Sequence, residues 1–136
     1  MTSYVSHTSV DCSDAYALSE WWKSVLDYTD VEGDPNEPGD PECMIVDPSS
    51  GHRLLFLEVP DAAEAKQRAG KNRVHLDLRP RVRTRDEELE WLVARGAIVL
   101  ADLRGVHGPG TGWIVLADPE GNEFCILRSQ AELPAD

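Results

Sequence analysis

Residues 73–79, Arg73-Val74-His75-Leu76-Asp77-Leu78-Arg79, alternate apolar and polar side chains through their centre. Residues two apart on a strand share a face, so this stretch predicts a β-strand. Val74, Leu76 and Leu78 take one side; His75 and Asp77 take the other. The apolar side calls for a helix against it, and the sequence supplies one. Thr84 with Glu87 three residues later reads as a capping box, Leu89, Leu92 and Val93 as an apolar face, and Gly96 as the stop. Strands are then expected at 97–103, 112–118 and 123–128, the last two joined by the turn Pro119-Glu120-Gly121-Asn122.

The first half repeats the pattern. Residues 4–11 read as a strand, and a helix is expected over 13–28 with Ala15, Leu18, Trp22, Val25 and Leu26 on its apolar face. Strands at 43–47 and 53–59 follow, joined by Pro48-Ser49-Ser50-Gly51. His7 matches His75, Trp22 matches Trp91, and Asp47-Pro48 matches Asp118-Pro119. The reading is one domain over 1–136, made of two β-α-β-β-β modules at about 4–60 and about 72–129. A module of about 60 residues barely supports its own core. The expected fold is therefore α+β, with both modules joined in a cupped, eight-stranded mixed sheet and helices on the outer face.

The chain carries 13 Lys+Arg against 25 Asp+Glu, a formal net charge of −12. Such a balance repels phosphate backbones and anionic lipid, so neither nucleic acid nor a membrane is the expected partner. The longest uninterrupted apolar runs, 97–101 and 113–117, are far short of the roughly 20 residues a membrane helix needs. The acidity concentrates between Asp27 and Asp47, a Pro/Gly-rich stretch read as a solvated loop. Three cysteines without C-x-x-C spacing, and no export signal at the start, give the expectation of a cytoplasmic protein with reduced thiols.

Strand parity then selects the residues facing the cup. His75 and Asp77 face in from 73–79, and Glu123 and Cys125 from the last strand. Leu54, Phe56 and Glu58 share one face of 53–59; His7 shares a face with Ser9 and Asp11. Trp113 opens a strand after the glycine-rich loop 105–112, which reads as a plain connection or as a lid carrying His107. Arg79, Arg81, Arg83 and Arg85 alternate and are expected to pair with acids of the same or a partner chain.

The paired modules, the early His7-Thr8, the strand 72–78 and the hairpin Asp118-Pro119-Glu120-Gly121-Asn122-Glu123-Phe124 together resemble the vicinal oxygen chelate superfamily, specifically its glyoxalase-like domains. The resemblance implies a homodimer that binds a small organic molecule in a cavity lined by His7, Phe56, His75, Asp77, Trp113, Glu123 and Cys125. In the metal-dependent members four strands each give one ligand. By position these would be His7, Glu58 and His75, with Cys125 or Glu123 as the fourth. Cys125 stands where the family carries Glu, and a thiolate there would soften the site. The resemblance thus implies either a metal-free binding protein with a sequestering or antibiotic-resistance-like role, or an enzyme. The enzyme would be a lyase, isomerase or dioxygenase acting on a substrate with vicinal oxygens. It would hold one divalent Zn, Ni, Co, Fe or Mn, with Glu58 as the base.

Overall fold

A computed structural model of the chain describes residues 2–134. They form two compact units that divide between Arg68 and Ala69. Unit 1 contains β1 (Thr8–Cys12), α1 (Ala15–Leu26), β2 (Thr29–Asp30), β3 (Glu42–Val46) and β4 (Arg53–Glu58), and α2 (Ala62–Ala69) runs up to the division, its last residue beyond it. Unit 2 contains β5 (Leu76–Leu78), α3 (Arg85–Ala94), β6 (Ile98–Asp102), β7 (Ile114–Ala117) and β8 (Glu123–Ile126). The fold is α+β, built from two β-α-β-β-β modules. Its strands form two four-stranded mixed sheets, ordered β1-β4-β3-β2 and β5-β8-β7-β6. In each, the first and last strands of the module pair in parallel and the other pairs are antiparallel.

Helix α1 starts at Asp14, whose carboxylate accepts a hydrogen bond from the Ala17 amide at 3.0 Å, and ends at Asp27 in the left-handed region. Ala15, Leu18, Ser19 and Trp22 form its buried stripe, which lies on β3 and β4. Helix α3 has the expected capping box between Thr84 and Glu87. Its apolar face is narrower than the sequence suggests: Leu92 is buried, whereas Val93 is nearly half exposed.

Two elements have no clear signal in the sequence. Strand β2 is only two residues long and lies inside the acidic stretch. There the Asp30 carboxylate accepts from Lys23 Nζ at 3.0 Å and from Asn36 Nδ2 at 2.8 Å, while Asn36 also donates to the Met44 carbonyl. This stretch is therefore tied to the edge of its own sheet. Helix α2 is a run of good helix formers, Ala-Ala-Glu-Ala-Lys-Gln-Arg-Ala, but its one buried residue gives too little apolar periodicity to detect.

The 105–112 loop is internally bonded. Gly105 and Thr111 join through a backbone hydrogen bond of 2.9 Å, and Arg85, nearly buried, donates from Nη1 to the carbonyls of Thr111 and Gly112. Gly112 has φ 92°, and a Cβ there would collide with the Leu103 carbonyl oxygen. The arginine run finds acids within unit 2. Arg83 pairs with Glu88 and Arg85 with Asp86, while Arg79 donates to the Arg128 carbonyl.

Candidate functional site

The ladder of unit 2 sets the facing of its side chains. Leu76 and Leu78 pair with Phe124 and Ile126, which are fully buried, and α3 lies against β8. His75, Asp77, Glu123 and Cys125 therefore occupy the opposite face, as strand alternation predicts. Asp77 is directly level with Cys125, and His75 is one step earlier, level with Glu123. Val115 pairs with Cys125 from the other side, so Trp113, two residues before Val115, belongs to this face as well. The ring of His107 stacks on Trp113, with centroids 6.0 Å apart.

Three donor atoms converge on this face. Asp77 Oδ1 lies 3.1 Å from His75 Nδ1, and Cys125 Sγ lies 3.9 Å from that same nitrogen. One ligand atom from each residue falls within a span of 4.8 Å. Cys125 is buried, while His75 and Asp77 are open to solvent. Burial first, and then the negative charge of Asp77, push the thiol up to about 11, so it carries its proton at neutral pH. Glu123 is engaged elsewhere: its carboxylate accepts from Lys71 Nζ at 2.8 Å.

Unit 1 corrects two sequence expectations. Cys43 pairs with Phe56, both are fully buried, and α1 packs on β3 and β4. The face carrying Leu54, Phe56 and Glu58 is therefore the helix side of the sheet. Phe56 is fully buried there and lines no open face. The Glu58 carboxylate accepts from the Ala15 amide at the start of α1, at 3.4 Å, where the helix dipole favours a negative charge. His7 precedes the β1–β4 ladder and is level with Arg53, whereas Glu58 is level with Cys12. Five residues of strand separate the two levels, about 16 Å. Together with the opposite facing, this means His7 and Glu58 do not fit one metal ion. His7 hydrogen-bonds with Ser6 Oγ at 2.9 Å.

Leu54-Leu55-Phe56-Leu57 is an unbroken apolar run, so its facing cannot be read from alternation. The residues on the His7 side of β4 are Leu55 and Leu57. By ladder position Leu55 is the counterpart of Cys125, and Ser9 the counterpart of Asp77.

Comparison with known proteins adds the following. The family described as glyoxalase-like domain matches residues 7–127. No curated protein matches by sequence. Among solved structures, a variant of the fosfomycin resistance protein FosX from Listeria monocytogenes, complexed with Mn(II) and 1S,2S-dihydroxypropylphosphonic acid, is similar at a TM-score of 0.65 and 17% identity. The alignment covers 97% of this chain and 94% of that one. The fosfomycin resistance protein FosX from Mesorhizobium loti is similar at a TM-score of 0.62 and 13% identity, covering 93% of this chain and 92% of that one. At such identities the likeness concerns the fold.

Proposed function

This chain belongs to the glyoxalase-like domain family, within the vicinal oxygen chelate superfamily, and from that premise we propose that it binds a small organic molecule on the polar face of the unit 2 sheet. The observation that carries this reading is the grouping of His75, Asp77 and Cys125 on a face that also bears Trp113. Polar groups at one end and an aromatic pair, Trp113 with His107, at the other suit a ligand with oxygen donors attached to an apolar or planar body. The role is sequestering, of the antibiotic-resistance type. A cytoplasmic homodimer completes the reading. Cys12, Cys43 and Cys125 form no disulfide, which suits a reducing compartment, and Ile98, Val99 and Leu100, exposed on the edge strand β6, suit contact with a second copy.

A thermal-shift screen followed by calorimetry tests this, run in chelator against phosphonates, vicinal dicarbonyls and cationic aromatics. One class should stabilise the protein, and Trp113→Ala should weaken its binding about tenfold, the cost of one good aromatic contact. Absence of any stabilising ligand, or equal binding by Trp113→Ala and His75→Ala, would overturn the reading.

A second reading is a divalent-metal-dependent lyase, isomerase or dioxygenase, favoured by the same three-donor group. A bound ion would polarise a carbonyl or stabilise negative charge on vicinal oxygens. His75, Asp77 and Cys125 are the residues that would hold it. Glu58, directed to the start of α1, would not be its base.

A further inference from the structure

We propose that Arg85 is the positioning residue of the unit 2 ligand face: it clamps the 105–112 loop into a fixed wall that holds Trp113, with His107 stacked upon it, in place before any ligand arrives. This role rests on the reading of that face as the binding face and adds the residue that shapes it.

Connectivity is the first support. Arg85 Nη1 donates to two successive carbonyls, Thr111 at 2.8 Å and Gly112 at 2.9 Å. The second belongs to the peptide unit that enters Trp113, so the fork fixes the backbone from which the indole departs. The Thr111 oxygen also accepts from the Gly105 amide at 2.9 Å, which joins both arms of the loop at one atom. Gly112 has little room to shift, because its Cα lies against the Leu103 carbonyl.

Burial is the second. Arg85 is 7% exposed, and a guanidinium out of water needs partners for its donors. Nε takes Asp86 at 3.0 Å, and Nη1 takes the two loop carbonyls. An opened loop would lose those bonds and strand a buried cation, so the closed wall is favoured over a swinging lid.

The internal repeat is the third. In both modules the first residue of the helix has its amide bonded to a distant glutamate. Ala15 donates to Glu58 Oε1 at 3.4 Å, and Arg85 to Glu132 Oε2 at 2.8 Å. The backbone contact is common to the two helices, whereas only the second adds a side chain long enough to reach a loop. The clamp is therefore a feature of the second module and not of helix capping.

Amide exchange and proton NMR on the full chain, without ligand, test the clamp. In the wild-type chain the Gly105 and Thr111 amides should be protected. The His107 Cε1 proton, one of four histidine signals and assigned by its loss in His107→Gln, should lie upfield under the ring current of Trp113. Arg85→Met should speed exchange at both amides by at least about tenfold, the loss of a charged hydrogen bond, and return the His107 signal to the position of an unstacked histidine. Arg85→Lys keeps the cation without the fork; it should speed exchange by about threefold or more and carries the test if the methionine variant does not fold. Arg104→Gln is the control, since Arg104 ties the start of the loop to Asp86 and Asp102 through partly exposed pairs. It should change exchange by less than about twofold and leave the His107 signal in place. Unprotected loop amides in the wild-type chain, an unmoved His107 signal in the Arg85 variants, or equal effects of Arg104→Gln and Arg85→Met would each overturn the clamp. No ligand enters these measurements, so their failure and the failure of the thermal-shift screen are separate results.

Discussion

Trp22 and Trp91 occupy matching places in the helices of the two modules, and their surroundings differ. Trp22 is 3% exposed, in the stripe of α1 that lies on β3 and β4, with Trp21 edge-on at 5.1 Å. Trp91 is half-buried between the guanidinium groups of Arg83 and Arg95, 4.7 Å and 4.1 Å from its ring centre. One indole is a core residue; the other is a cation-π platform. The difference extends to the sheets: unit 1 presents Ser9 and Leu55 where unit 2 presents Asp77 and Cys125. Duplicated backbones thus leave each module free to specialise, with the apolar work more complete in the first and the donor chemistry concentrated in the second.

The tryptophans offer the largest test of this contrast. Trp22→Ala should cost about 3–5 kcal/mol of unfolding free energy, as large core truncations do. Trp91→Ala should cost about 1–1.5 kcal/mol, the value of two partly exposed cation-π contacts with modest packing. Denaturant unfolding of both variants measures it, and equal losses would break the comparison.

The hairpin turns give an intermediate effect. Both aspartates organise an Asp-Pro turn. The Asp118 carboxylate accepts from the amides of Glu120 and Asn122 and from Asn122 Nδ2, and the residue is 1% exposed. Asp47 accepts from the Ser49 amide and the Ser49 and Ser50 hydroxyls, in a more open turn. Asp118→Ala should destabilise by about 2–3 kcal/mol because the amides of Glu120 and Asn122 and Asn122 Nδ2 lose a buried acceptor. Asp47→Ala should move the denaturation midpoint much less, since water can replace its bonds.

The smallest effect is one of pH. Hydrogen bonds from Ser49 and Ser50 lower the Asp47 carboxyl to about 2, and Arg104 does the same for Asp102 in unit 2. A folded value below the unfolded one means the stabilisation is complete above about pH 4 and is lost as pH falls through about 2. Asp47→Asn and Asp102→Asn should each flatten the acid limb of the stability profile in that window, and acid titration followed by circular dichroism reads it. Both groups lie at the surface, so added salt should shrink the effect at Asp102, where an ion pair contributes, more than at Asp47, where neutral donors do.

Much of the fold is legible in the residues. The match of His7 with His75 and of Asp47-Pro48 with Asp118-Pro119 marks the repeat, and the Thr84–Glu87 box marks the start of α3. In unit 2 the alternation of His75-Leu76-Asp77-Leu78 is enough by itself to place His75 and Asp77 on one face. In unit 1 the corresponding inference fails at Leu54-Leu55-Phe56-Leu57, because alternation carries no information where every residue is apolar, and a one-residue choice reverses every facing. Phe56 and Glu58 lie on the helix side for that reason, and the full burial of Phe56 and the bond from the Ala15 amide to Glu58 reveal it.

The two-module plan, the cap of α3 and the shared face of His75 and Asp77 follow from local periodicity and side-chain chemistry alone. The remaining features come from long-range packing. The pairing of Asp77 with Cys125, the approach of Sγ and Oδ1 to a single imidazole nitrogen, and the tying of Glu58 to α1 and Glu123 to Lys71 all join residues more than 40 positions apart or depend on ladder register. Register is set by the summed packing of whole strands, and no local pattern in this chain encodes it.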